Sequence, residues 1–126
     1  METKSRSNTS KEVIEQVNPA DLEKIIAAGK TVIIDVRTAK GIESQGSIPG
    51  AINIPLEELK VQIDNRSKNP KSILNGSGPF LFCCTGGVMS YMAAIHAQEN
   101  GIENVLNLEG GHNAWMNLKS GESQAA

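Results

Sequence analysis

Pro79-Phe80-Leu81-Phe82-Cys83-Cys84-Thr85-Gly86-Gly87-Val88-Met89-Ser90 is the stretch on which the fold turns. Pro79 to Cys83 is a short, continuous apolar run, which suits a strand buried on both faces of a parallel sheet. Two glycines come after Thr85. From Val88 to Asn100 the pattern becomes helical, with Ala93, Ala94 and Ala97 small enough to let a helix lie close on a sheet and Gly101 as its stop. Strand, tight loop and helix in that order form an α/β unit, and such loops are where open α/β sheets usually build their sites.

Working outward, Thr31-Val32-Ile33-Ile34-Asp35-Val36 is a β-branched run that predicts a second buried strand, ending near Asp35 and Arg37. Before it, Val13 to Val17 reads as a short edge strand. Asn18-Pro19 then opens a helix as N-cap and first-turn proline, Leu22, Ile25 and Ile26 supply its stripe, and Gly29 ends it. Between Ile48 and Pro55 two prolines frame a brief apolar stretch, so only a short strand fits there. Leu56 to Ile63 predicts a helix, and the polar stretch Asp64 to Gly78 a loop with room for one helical turn. A further strand over Asn104 to Leu108 and a short last helix around Ala114 to Leu118 complete the chain. The alternation predicts an α/β sandwich, with a mainly parallel sheet and right-handed crossovers.

The 126 residues suffice for one domain that buries about two thirds of its unfolded surface. Aromatic residues make up only 3% of the chain, so aliphatic side chains must build most of the core. The expected organisation is a disordered polar tail over 1–12, one domain over 13–119 and a flexible C-terminal tail over 120–126. A net charge of -2 without any Lys or Arg run offers no attraction for nucleic acid or anionic lipid. Residues 1–12 contain no apolar core of a signal peptide, so a cytoplasmic protein is expected.

The two cysteines, Cys83 and Cys84, are adjacent. A bridge between them would close a strained eight-membered ring and no long loop, so a reactive thiol is the stronger reading. In Cys84-Thr85-Gly86-Gly87-Val88-Met89-Ser90, the glycines let the backbone curl and turn N–H groups inward, and the dipole of the next helix adds to them. A thiolate, a persulfide anion or an oxyanion would be stabilised in such a cradle, which suits covalent catalysis. The bland reading is a buried thiol at a strand end with glycines used for close packing.

Several further stretches bear on that choice: Asp35-Val36-Arg37, Gly46-Ser47-Ile48-Pro49-Gly50-Ala51 running on to Asn53-Ile54-Pro55, and Gly110-Gly111-His112-Asn113-Ala114-Trp115. In order and spacing, together with the loop and the Ala93-Ala94 pair, they resemble the rhodanese family from about Val13 to Leu118. The resemblance implies a three-layer α/β sandwich with helices on both faces of the sheet. It also implies a sulfurtransferase, in which the loop cysteine takes sulfane sulfur from a donor such as thiosulfate, a polysulfide or a persulfidated protein. That sulfur then passes to cyanide or a thiol. Matching Gly87 and Ala93-Ala94 to the family pattern puts the carrier at Cys84, with Thr85, Gly86, Gly87, Val88 and Met89 surrounding the sulfur and the Thr85 hydroxyl free to add a bond. Asp35, Arg37 and Glu43 are read as structure, with Arg37 and an acidic neighbour forming a supporting ion pair.

Many relatives have arginine where this chain has Met89, and no Lys or Arg lies between Cys84 and Ser90. A charge-assisted hydrogen bond is worth roughly 1.5 to 3 kcal/mol, so small-anion binding is expected to weaken by about one to two powers of ten. Val88 and Met89 instead form an apolar rim that suits a protein-borne persulfide. Counted from Cys83, the same loop resembles that of cysteine phosphatases, but with methionine in place of the arginine and Phe82 in place of the histidine. That departure speaks against phosphoryl chemistry. A sulfur-relay or protein-binding module without turnover stays open, and so does a thiol redox sensor in which Cys83 resolves an oxidised Cys84.

His96 reads as a helix-surface residue without a role, and His112 as a loop residue near the pocket mouth with a possible contact to substrate. Trp115 reads as core, and Met89 and Met92 as packing or pocket rim. Vicinal cysteines and two histidines make no spaced ligand set, so no metal and no cofactor are expected, and the chain is expected to be a monomer or weak homodimer.

Overall fold

The computed structural model describes residues 13–125 of the chain, with side chains as far as Ser120. Its strands are β1 (Glu15–Val17), β2 (Val32–Asp35), β3 (Ile52–Asn53), β4 (Phe80–Cys83) and β5 (Val105–Leu108). The helices are α1 (Leu22–Ala28), α2 (Ala39–Gln45), α3 (Leu56–Asp64), α4 (Val88–Glu99) and α5 (Gly111–Ala125). The strands form one sheet in the order β1-β5-β4-β2-β3, and every neighbouring pair is parallel. The fold is therefore the three-layer α/β sandwich expected from the sequence.

Strand alternation divides the core in two. Phe80, Phe82 and Cys84 pack with Ile34 and Val36, with Leu59 and Ile63 of α3, and with Ala93, Ala94 and Ala97 of α4. Leu81 and Cys83 point the other way, into a cluster with Ile33, Ile48, Leu108, Leu22 of α1 and Trp115 of α5. Successive side chains of a strand face opposite sides of the sheet, so both faces of β4 are sealed by helices, and an unbroken apolar run is what that position demands. The three alanines of α4 are fully buried, which lets the helix axis approach the sheet closely.

The expected elements are present within a residue or two at most ends. Three differences have local causes. Helix α2 falls in a stretch with no expected element; Thr38 caps it, its hydroxyl accepting from Gly41 N–H at 3.0 Å, but its seven residues bury none of their own and so leave no apolar stripe. The loop after α3 holds two short 3-10 turns, Arg66–Lys68 and Ile73–Asn75, rather than one. Helix α5 is much longer than a turn around Ala114 to Leu118, because its first turn begins at Gly111, against the loop after β4, and the residues beyond Leu118 include no proline to interrupt it. Positions 120–125 of the expected C-terminal tail continue this helix. Ala126 and the expected tail over 1–12 lie outside the described residues. Among the described residues no helix is long and apolar enough to cross a membrane.

The sheet order also points to a candidate site. From β2 the chain moves outward to β3, whereas from β4 it moves to β5 on the other side, so the carboxyl ends of the adjacent strands β2 and β4 flank the point where the winding reverses. Open α/β sheets bind ligands at such a switch point. The residues that emerge there are Arg37 after β2 and Cys84 after β4.

Candidate active site

Cys84 is the first residue beyond β4 and retains 3% of its exposure. Its Sγ accepts hydrogen bonds from Gly87 N–H at 3.1 Å and Ser90 N–H at 3.3 Å, and the Ser90 hydroxyl oxygen lies 3.3 Å away. Both N–H groups belong to the opening turn of α4, where backbone donors lack partners within the helix and the dipole is positive. The sulfur therefore sits where a side-chain cap would sit, and negative charge on it is favoured by that helix.

The loop is held in this shape from behind. Gly87 has φ +95, and a Cβ there would lie 3.1 Å from the Gly110 nitrogen, so the sequence needs glycine both for the turn and for the close approach of β5's end. His112 N–H donates to the Cys84 carbonyl at 2.8 Å and Asn113 N–H to the Thr85 carbonyl at 3.0 Å. A Cβ on Gly111 would come within 2.5 Å of both carbonyl oxygens. With its carbonyls engaged by the first turn of α5, the loop turns N–H groups toward the sulfur.

Beneath the loop lies a buried polar chain. Ser90 Oγ is 2.6 Å from Asn107 Oδ1, and Asn107 Nδ2 donates to the Gly87 carbonyl at 3.1 Å and to Gln16 Oε1 at 3.0 Å. Ser90 and Asn107 are both buried. Sequence reasoning missed both; a serine inside an otherwise apolar helix face and an asparagine inside a strand of Val, Leu and Leu were the available signals.

Arg37 closes the β2 side. Its guanidinium is bidentate on Asp35, with contacts of 2.6 to 3.1 Å, and also donates to the Gly46 carbonyl at 2.9 Å and to Gln45 Oε1 at 3.3 Å. The hydrogen bond to Asp35 raises the Arg37 pKa. A buried guanidinium committed to these partners supports the strand end, as expected, and is not presented as an anion clamp; Glu43 lies exposed, apart from the pair.

Among the expected site residues, Gly87 donates to the sulfur, whereas the Thr85 hydroxyl faces Gln45 Oε1 at 3.4 Å instead of Cys84. Gly86 is exposed, and Val88 and Met89 stand at the rim, 70% and 42% exposed. Cys83, buried like its neighbour, faces the opposite side of the sheet. Its side chain is wholly buried in the opposite core, with Sγ 3.7 Å from the Ile34 carbonyl, and burial, with a lesser contribution from Asp35, pushes its pKa strongly up.

His112 is corrected from a position at the pocket mouth. Its side chain is buried, 6.0 Å between ring centroids from Trp115, its Nε2 has no hydrogen-bond partner among the described residues, and burial lowers its pKa. What reaches the site from His112 is its backbone N–H. His96 pairs with Asp64 at 2.9 Å on the surface.

The family model described as "Rhodanese-like domain" matches residues 18–118. The chain is 29% identical over 109 residues to the "Thiosulfate sulfurtransferase/rhodanese-like domain-containing protein 3" of Mus musculus, covering 82% of this chain and 69% of that one. It is 26% identical over 110 residues to "Thiosulfate:glutathione sulfurtransferase" of Homo sapiens, covering 82% and 95%. A solved structure from Rhodopseudomonas palustris, of a protein of unknown function termed a possible tyrosine phosphatase, is similar with a TM-score of 0.78 and 32% identity, covering 94% of this chain and 96% of the other.

Proposed function

The chain belongs to the rhodanese-like domain family, whose members similar to it include named sulfurtransferases, and from that premise we propose that it moves sulfane sulfur through a persulfide on Cys84. The observation that carries the reading is the Cys84 sulfur seated on two N–H groups at the start of α4. In the first half-reaction the Cys84 thiolate attacks the sulfane sulfur of the donor. With thiosulfate, the S–S bond of the donor breaks, sulfite leaves with the bonding pair, and Cys84 becomes a persulfide anion. In the second, a thiolate or cyanide attacks the outer sulfur, the new persulfide or thiocyanate departs, and the Cys84 thiolate is restored.

Donor choice follows from the loop's lack of cations. Val88 and Met89, both exposed beside the loop, give the cradle an apolar rim where a guanidinium would otherwise hold a dianion. Organic polysulfides and protein-borne persulfides, which carry at most one negative charge beside an apolar stem, suit that rim better than the thiosulfate dianion, which gains no charge-assisted bond from it. Phosphoryl transfer from Cys83 is disfavoured by its burial in the opposite core and by the absence of a loop cation.

The test is intact mass after incubation of the reduced protein with thiosulfate, and separately with polysulfide, for the wild type, Cys84→Ser and Cys83→Ser. One added sulfur atom, retained in Cys83→Ser, lost in Cys84→Ser and stronger with polysulfide, is the expected result. No adduct from either donor overturns the proposal.

A further inference from the structure

The Ser90 hydroxyl has one proton and two neighbours that can accept it: Cys84 Sγ at 3.3 Å and Asn107 Oδ1 at 2.6 Å. The side-chain amide of Asn107 has a single orientation. The Gly87 carbonyl can only accept, and the Asn107 atom 3.1 Å from it must therefore be the nitrogen, which leaves the oxygen facing Ser90. Asn107 is buried, and among the described residues the Ser90 hydroxyl is the donor that reaches its Oδ1. At 2.6 Å that bond is short, and it directs the hydroxyl away from sulfur.

We propose that Asn107 is a positioning residue that competes with the Cys84 sulfur anion for the single Ser90 hydroxyl proton, leaving that anion held by backbone N–H groups alone. The inference deepens the reading of Cys84 as the reactive sulfur and rests on it. In the thiol state the chain is complete: S–H donates to Ser90 Oγ, and Ser90 O–H donates to Asn107. When the thiol gives its proton to solvent, the anion faces a serine lone pair unless the hydroxyl turns, and turning strands a buried carbonyl oxygen, which is unfavourable. The competition keeps the Cys84 thiolate less stabilised and more ready to react than the three donors around it suggest.

The titratable groups around the sulfur do not substitute for this proton. Arg37 after β2 and Asp35 at its end are bonded to one another, Cys83 points into the opposite core, and the His112 ring packs on Trp115. On α4 itself the Tyr91 hydroxyl accepts from Ile14 N–H, while α3 contributes Leu59 and Ile63 to this side of the core.

The experiment is the pH dependence of Cys84 alkylation by iodoacetamide, assigned by fragment mass, in the wild type, Asn107→Leu, Ser90→Ala and the double variant. Asn107→Leu frees the hydroxyl for sulfur, and the midpoint is expected to fall by about one pH unit, the worth of one hydrogen bond to a charged group. In the Ser90→Ala background the same substitution is expected to shift nothing, because the proton in dispute is gone. An unmoved midpoint in folded Asn107→Leu, or an equal shift in both backgrounds, overturns the proposal. Should Asn107→Leu fail to fold, Ser90→Ala alone decides: a shift below about half a unit supports the competition, whereas a rise of about half a unit or more shows a hydroxyl committed to sulfur and sinks it. Alkylation needs no sulfur donor, so this result stands apart from success or failure of the persulfide test.

Discussion

Cys83 and Cys84 are adjacent in the chain and occupy two different chemical worlds. Cys83 is the last residue of β4, sealed between the sheet and the helices α1 and α5, with a carbonyl as its nearest polar neighbour. Cys84, one step on, faces the other side, where α4 begins and its free N–H groups converge on the sulfur. One residue of register in a strand carries a thiol from one face of the sheet to the other, so which cysteine meets the free N–H groups of α4 depends on strand phase.

The sharpest way to break the contrast is to remove each thiol in turn. Cys84→Ser is expected to abolish sulfur transfer from a polysulfide to a thiol acceptor, whereas Cys83→Ala retains it within a few-fold; persulfide formation followed by cyanide release as thiocyanate provides the assay. Equal losses in the two variants would dissolve the distinction.

Next in size is the donor. Met89→Arg places a guanidinium at the rim of the cradle and is expected to raise thiosulfate-dependent loading of Cys84 about ten- to a hundredfold, with polysulfide loading changed far less. The ratio of the two loading rates, measured by stopped incubation and mass, reads this directly.

The scaffold behind Cys84 comes third. Gly111→Ala drives a methyl group to 2.5 Å from the Cys84 and Thr85 carbonyl oxygens at a φ of +67, and is expected to destabilise the protein by about 2 to 3 kcal/mol in urea unfolding. Gly86→Ala meets no atom within 4 Å and has no positive φ, so it is expected to change stability by less than about 1 kcal/mol.

The smallest effect belongs to Cys83 and concerns pH. Its pKa is raised in the folded state, so above its ordinary value of 9.0 the unfolded chain releases a proton that the native state keeps. Fewer protons on the unfolded state mean that stability falls with rising pH, by up to about 1.4 kcal/mol per unit for one group, while below pH 9.0 this contribution is fully present. The urea midpoint of the wild type should therefore decline faster between about pH 9 and 10.5 than that of Cys83→Ala. Parallel curves would show that burial does not hold the thiol neutral.

Much of this arrangement is legible in the sequence. The apolar runs around Ile33 and Leu81 announce buried parallel strands because a strand covered on both faces admits no polar position. Gly86-Gly87 between strand and helix announces a tight turn with inward N–H groups, and the small residues of α4 announce a helix pressed onto a sheet. Helix α2 is not legible, since it buries none of its residues and leaves no periodic trace. The turn of the Thr85 hydroxyl toward Gln45, 40 residues away, is not legible either, nor is the removal of the His112 ring from the pocket mouth into the packing around Trp115.

By itself, then, the sequence determined the alternation of strands and helices and the tight loop after β4, which are written in local periodicity and in the backbone freedom of glycine, and the family, which is written in the order and spacing of its motifs. Only the tertiary structure decided which donors reach the Cys84 sulfur, that Arg37 is consumed by Asp35 and the α2 end, and that Asn107 and Gln16 stand beneath the cradle. Those relations join residues as far apart as the 17 positions between Ser90 and Asn107 and the 91 between Gln16 and Asn107, and no local pattern encodes a contact that exists only once β1, β5 and α4 have packed together.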